Sequence, residues 1–306
     1  MMKKEDVFET LTALSGIYGA GSFGYLPLLF AAKWLVDNPS SKEFLDLKEK
    51  YPHISVSDGL KRIAFLLFPY THLAVYSWEV SRGEMPHFRL DISVSPEDAE
   101  KIISYTSKAL SSLNLSEENV SRKDLLDGFD MYLESCLNEA RIDISVYPGA
   151  AERIVAGISA LYGEVSSAYD PFCKLGSLIS AVSAKRKAAS DVCRIYAEIT
   201  RIRALLAGDD LFVSSLESIE FPLVSEHGME VFDLVVSDLS DVGSDEVSTM
   251  YQMDIHRRFQ ELCPGADKLT PSVGFCHAFA STAYKGHCIV VTDGGRDYRF
   301  NDLFSG

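Results

Sequence analysis

Tyr169-Asp170-Pro171-Phe172-Cys173-Lys174-Leu175-Gly176-Ser177-Leu178 reads as the end of a strand, a turn and the start of a helix. An open parallel sheet binds nucleotide-like ligands in such a place, at the carboxyl ends of its strands. Small residues in the turn let the backbone approach the ligand, and a helix start offers unpaired N–H groups. Gly176 and Ser177 are the small residues here. A plain strand–turn–helix connection accounts for the same stretch equally well.

Working outward, helical and β-rich runs alternate. Gly176–Ala189 reads as a helix, Val192–Ala197 as a strand and Thr200–Ala207 as a short helix, while Val231–Ser237 and Cys288–Thr292 are apolar, β-branched strands. Strands alternating with helices imply an α/β fold with a parallel sheet. Arg194-Ile195-Tyr196-Ala197-Glu198 puts an acid, Glu198, at a strand end. That position suits hydrogen bonds to ribose hydroxyls, although a solvated strand end would look the same. Phe232-Asp233-Leu234-Val235-Val236-Ser237-Asp238-Leu239-Ser240-Asp241 is a buried strand ending in a polar turn, where catalytic groups of such sheets sit. Lys285–Gly295 reads as a turn, a buried strand and a Gly-rich turn.

Before Arg141 the texture is helical. Lys4–Tyr18 and Tyr25–Asp37 carry apolar residues at helical spacing, and Asn38-Pro39-Ser40-Ser41 breaks the pattern. Ser41 or Ser40 then caps a helix at Lys42. Further helices are predicted over Ser57–Leu67, from Pro96 to about Leu113, and over Ser121–Glu139, with a strand at Phe88–Val94. The chain therefore divides into a helical domain, 1–145, and an α/β domain, 146–306. No Pro/Gly/Ser tether joins them.

The 306 residues carry a net charge of −15, with 47% hydrophobic and 24% charged residues. That balance excludes a protein gripping nucleic-acid phosphates across its own surface, so any nucleic-acid role needs a local pocket or a basic partner. Gly16–Leu35 and Ile63–Trp78 are apolar but interrupted, and read as buried helices rather than membrane spans. Met1–Asp6 does not begin a secretory leader, and the six cysteines contain no CxxC pair. Six reduced thiols in a cytoplasmic protein are expected. Cys276-His277 and His287-Cys288 fit no common zinc spacing, so no metal is expected. Lys185-Arg186-Lys187 reads as a basic run at a helix C-terminus.

In order and spacing, the four segments resemble the adenine-N6 DNA methylase (modification) subunit of type I restriction–modification systems. That family's first segment reads approximately Asp-Pro-Ala-Cys-Gly-Ser-Gly-Gly-Phe-Leu, and Asp170, Pro171, Cys173 and Gly176 match it. Its catalytic segment reads Phe-Asp-x-Val-x-x-Asn-Pro-Pro-Phe/Tyr, and Phe232, Asp233, Val235 and Asp238 match, with Asp in place of Asn. Lys285–Gly294 tracks the later Gly-Gly-Arg-x-x-Ile-Val strand, and Val146-Tyr147-Pro148-Gly149 stands where the family has Phe-Tyr-Thr-Pro.

The resemblance implies a mostly helical N-terminal domain followed by a Rossmann-like, S-adenosylmethionine-dependent methyltransferase core, shortened after the late strand. It implies cofactor contacts from Asp170, Pro171, Gly176 and Glu198, and a catalytic Asp238 that accepts hydrogen bonds from the amine of a flipped adenine. It also implies a specificity-subunit partner through which DNA is mainly held, with no membrane. The pattern departs from the family at Leu239 and Ser240, which replace two prolines, and at Asp241, which replaces the stacking aromatic. Lys174 and Leu175 replace small residues, and the adenine-contacting acid is unplaced beyond a weak candidate, Glu217. A catalytically inactive methylase-like binding or scaffold protein is the alternative.

Overall fold

The computed structural model describes residues 1–18, 22–67, 96–140, 150–151, 153–154, 157–158, 163, 165–216, 218–219, 221–239 and 270–292. The chain forms two compact units: Met1–Ile144 with Ile202–Asp209, and Ser145–Arg201 with Asp210–Gly306. The predicted strand Phe88–Val94 and the Val146–Gly149 turn lie outside the described residues.

The first unit is built from helices α1 (Lys4–Tyr18), α2 (Ser22–Asp37), α3 (Lys42–Lys50), α4 (Leu60–Leu67), α5 (Pro96–Leu110) and α6 (Arg122–Ala140). The local signals act as read. Ser41 caps α3, its hydroxyl accepting the Phe44 N–H at 3.2 Å, and Pro96 is the first residue of α5. Trp34, Phe30, Phe129 and Leu11 are fully buried, and the Phe30 and Phe129 rings stack at 5.9 Å. α1 and α6 meet at Gly128, where a Cβ would stand 2.5 Å from the Lys4 carbonyl oxygen. Asn38 secures the end of α2, donating to the carbonyls of Trp34 and Leu115 and accepting the Glu117 N–H.

The second unit is an α/β sheet. Its strands are β1 (Val165–Asp170), β2 (Ala184–Ser190), β3 (Leu211–Ser214), the short hairpin strands β4 (Val224–Ser225) and β5 (Gly228–Met229), β6 (Phe232–Asp238) and β7 (Thr282–Val291). Its helices are α7 (Ser177–Ala181), α8 (Arg194–Ala207) and α9 (Thr270–Ala280), and the last turns of α8 count with the first unit. Five strands form one sheet in the order β3-β2-β1-β6-β7, with every neighbouring pair parallel. Parallel strands are buried on both faces. Ala168, Ala189, Leu234 and Val236 pack with Leu178, Ile179 and Ala197 in one apolar cluster. Tyr169, Ala188, Phe232 and Val235 pack with Ala278 in another.

Several readings are corrected. The helix expected over Gly176–Ala189 stops at Ala181, and Ala184–Ser190 is strand β2. Its Ala, Lys and Arg residues favour helix intrinsically, but ladders to β1 and β3 on both sides override that preference. The strand expected over Val192–Ala197 is the first part of α8, whose Ile195, Ile199, Ile202 and Leu206 are buried at helical spacing. Glu198 is therefore a helix residue and not a strand end. The Lys185–Lys187 run lies in β2, where the Arg186 guanidinium covers the Phe232 ring at 4.9 Å and the Lys187 ammonium donates to the Val182 carbonyl. Cys276 is disulfide-bonded, which departs from the reading of six thiols, while Cys136, Cys173, Cys193 and Cys288 form no disulfide. Among the described residues no helix is long and apolar enough to cross a membrane.

Candidate functional site

The strand order reverses at β1. The chain runs outward from β1 to β2 and β3, then returns to place β6 on the other side of β1. A reversal of this kind leaves a crevice beyond the carboxyl ends of the two strands that flank it, and ligands of open α/β sheets bind there. The flanking strands end in Asp170 and Asp238, the first and third acids singled out in the sequence.

Asp170 is fully buried. It accepts the Phe172 N–H at 3.2 Å, which shapes the turn, and the Ser237 hydroxyl at 3.3 Å, which ties it to β6. Burial pushes its carboxyl well above the usual carboxylate range, and the charges of Asp238 and Asp191 push the same way. The Phe172 and Ser237 hydrogen bonds act in the opposite direction.

The turn beyond Asp170 is held from all sides. The Pro171 carbonyl accepts the Ser218 hydroxyl, and the Cys173 N–H donates to the Ser190 carbonyl at 3.0 Å. Lys174 adopts φ 49 and Gly176 φ 71, both left-handed. At Gly176 a Cβ would meet Thr200 Cγ2 at 2.6 Å, so α8 packs against the bare glycine backbone. Thr200 also donates its hydroxyl to the Lys174 carbonyl at 2.9 Å. The buried Cys173 thiol, 3.6 Å from the Thr200 hydroxyl, is pushed well above its ordinary value by burial.

Asp191 follows the last residue of β2, and sequence reasoning missed it because β2 was read as helix. One carboxylate oxygen accepts the Lys174 N–H and the other the Cys193 N–H, both at 2.8 Å. The strand-end position read for Glu198 is occupied by Asp191, about twenty residues beyond Asp170. Glu198 is buried on α8, where Arg201 donates to it at 2.9 Å and to the Val213 carbonyl at 2.7 Å. The available signal was Asp191-Val192-Cys193, a short acid three residues before a helix.

At the end of β6, Asp238 is buried and its carboxylate lies 3.0 Å from the Lys174 ammonium, with side chains 5% and 11% exposed. Leu239 donates its N–H to the Val291 carbonyl and is fully buried, and a Cβ on Gly274 of α9 would meet it at 3.1 Å. The buried His277 ring stands edge-on to Phe172 at 6.1 Å and to Tyr169 at 6.3 Å. The structure thus gathers Asp170, Pro171, Gly176 and Asp238 and adds Asp191 and Lys174. Glu217, Ser240 and Asp241 lie outside the described residues. No cluster of three potential metal ligands occurs among the described residues.

No family model and no curated protein matches the chain. Its fold is similar to that of a solved type I restriction–modification system methyltransferase subunit from Streptococcus thermophilus. The TM-score is 0.55 at 14% identity, over 94% of this chain and 74% of that one. A class I S-adenosylmethionine-dependent methyltransferase structure from Listeria monocytogenes aligns at TM-score 0.41 and 14% identity, over 83% of this chain and 69% of that one; this match is too loose to carry weight. The fold is that of the methyltransferase subunit, helical N-terminal region included.

Proposed function

We propose that the chain is the modification subunit of a type I restriction–modification-like complex, an adenine-N6 DNA methyltransferase using S-adenosylmethionine. The observation carrying this reading is the reversal of strand order that brings Asp170 and Asp238 to adjacent strand ends, with Asp191 one strand further. The polar groups fit such a ligand. Asp191 uses one lone pair of each oxygen on backbone N–H groups, and a carboxylate has further acceptor capacity for two ribose hydroxyls. Asp170 and the Pro171–Gly176 turn would hold the amino-acid part, the α-ammonium favouring the ionised form of the Asp170 carboxyl. The cofactor would supply an electrophilic methyl group. Asp238 would accept hydrogen bonds from the adenine amine and orient its lone pair, while the net charge of −15 leaves the grip on DNA phosphates to a specificity partner.

The test is calorimetric titration with S-adenosylmethionine, followed by labelled methyl transfer to DNA with and without the partner. Absence of binding at millimolar cofactor refutes the enzyme reading. A second reading, a methylase-like scaffold without transfer activity, is favoured by one observation: the ammonium of Lys174 already pairs with Asp238. Cofactor binding without methyl transfer in the presence of the partner would decide for it.

A further inference from the structure

We propose that Lys174 is an internal gate on the crevice between β1 and β6, its ammonium standing in for the positive charge of a cationic ligand at Asp238. The inference rests on the cofactor reading above, with the sulfonium seated beside Asp238, whose second oxygen is then left to accept from the adenine amine. Lys174 is anchored at one end of its reach and paired at the other. Its N–H donates to Asp191 beyond β2, and its carbonyl accepts from Thr200. Its ammonium ends on Asp238, beyond β6. Because β1 lies between β2 and β6, the contacts of this one residue link acids at the ends of β2 and β6 past the end of β1. The ammonium therefore lies at the β6 side of the switch point.

The backbone at Lys174 is left-handed, which a side-chain-bearing residue rarely adopts. Its tethers to Asp191 and Thr200 hold it there. The pair is almost wholly desolvated, so neither charge can simply be withdrawn, since an isolated buried charge is strongly unfavourable. Exchange for another cation avoids that penalty. A sulfonium arriving as the ammonium swings out leaves Asp238 paired throughout and the charge of the site unchanged. A ligand that binds only the open form has its affinity reduced by the open fraction.

The experiment compares the full chain with Lys174→Gly, which the left-handed backbone accommodates, by calorimetric titration with S-adenosylmethionine. The gate predicts an affinity rise of about tenfold or more in the variant. Equal affinity in the two proteins overturns the gate and leaves the cofactor reading standing. Absence of binding in both folded proteins overturns the cofactor reading and the gate with it. Where Lys174→Gly does not fold, amine acetylation of the wild-type chain read by mass spectrometry takes its place. Lys174 is then slow to react alone and fast in saturating S-adenosylmethionine. Unchanged protection while calorimetry records binding overturns the proposal.

Discussion

Gly176→Ala tests how the candidate cofactor turn is built. An alanine must keep φ near 71, at a cost of about 1–2 kcal/mol for an L-residue in the left-handed region. Its Cβ would also lie 2.6 Å from Thr200 Cγ2 and 2.9 Å from Thr200 Oγ1, about 1 Å inside ordinary contact. Thr200 cannot yield freely, because its hydroxyl is committed to the Lys174 carbonyl at 2.9 Å. Overpacking of this kind costs about 1–3 kcal/mol, so the substitution should destabilise the sheet unit by about 2–5 kcal/mol. Trp34 belongs to the helical unit, so its emission does not report on the sheet. Pulse proteolysis across a urea series does, and the midpoint should fall by about 1–2 M for a typical urea dependence. Thr200→Ala removes the two nearest atoms, leaving only its Cβ at 3.1 Å, but not the backbone strain. On that background Gly176→Ala should cost only about 1–2 kcal/mol. A cost that is the same on both backgrounds, or a negligible one, would refute the packing argument.

Asp170→Asn keeps an oxygen for Phe172 and Ser237 while removing the titration. Because burial raises the native carboxyl, the stabilisation from its bound proton is full below the unfolded value of about 3.9 and is lost as pH rises through the native value. The variant should therefore gain stability relative to the parent between acid and neutral pH, and parallel stability–pH curves would contradict the assignment. Asp191→Ala should abolish calorimetric binding of S-adenosylmethionine while Glu198→Gln keeps it; the reverse pattern restores Glu198 as the ribose acid. Cys173 and Cys288 should resist iodoacetamide at pH 8 in the folded chain and react on unfolding, since burial pushes the Cys288 thiol up to about 11 and that of Cys173 upward as well. Mass spectrometry of the labelled chain decides this, and rapid native labelling at either thiol would be inconsistent with the packing. In the helical unit, Gly128→Ala forces a Cβ to 2.7 Å from that of Val7 and should cost about 1–3 kcal/mol in urea unfolding followed by Trp34 emission.

Local sequence alone determined the helices of the first unit and the strands that carry Asp170 and Asp238. Apolar spacing, the Ser41 cap and the Pro96 start act within a few residues, and β1 and β6 are bounded by turns that any neighbour would leave in place. Ala184–Ser190 is different. Its residues favour helix in isolation, and it becomes a strand because β1 and β3 offer it ladders on both sides. Misreading it concealed Asp191 as a strand-end acid. The switch point is a property of strand order, which no local pattern encodes. The pairing of Lys174 with Asp238 joins residues far apart in the chain and exists only because β1 and β6 lie side by side. Residue types and strand ends were legible because they depend on near neighbours. Which acids share a crevice, and which cation already lies in it, depends on long-range packing and was decided by the tertiary structure.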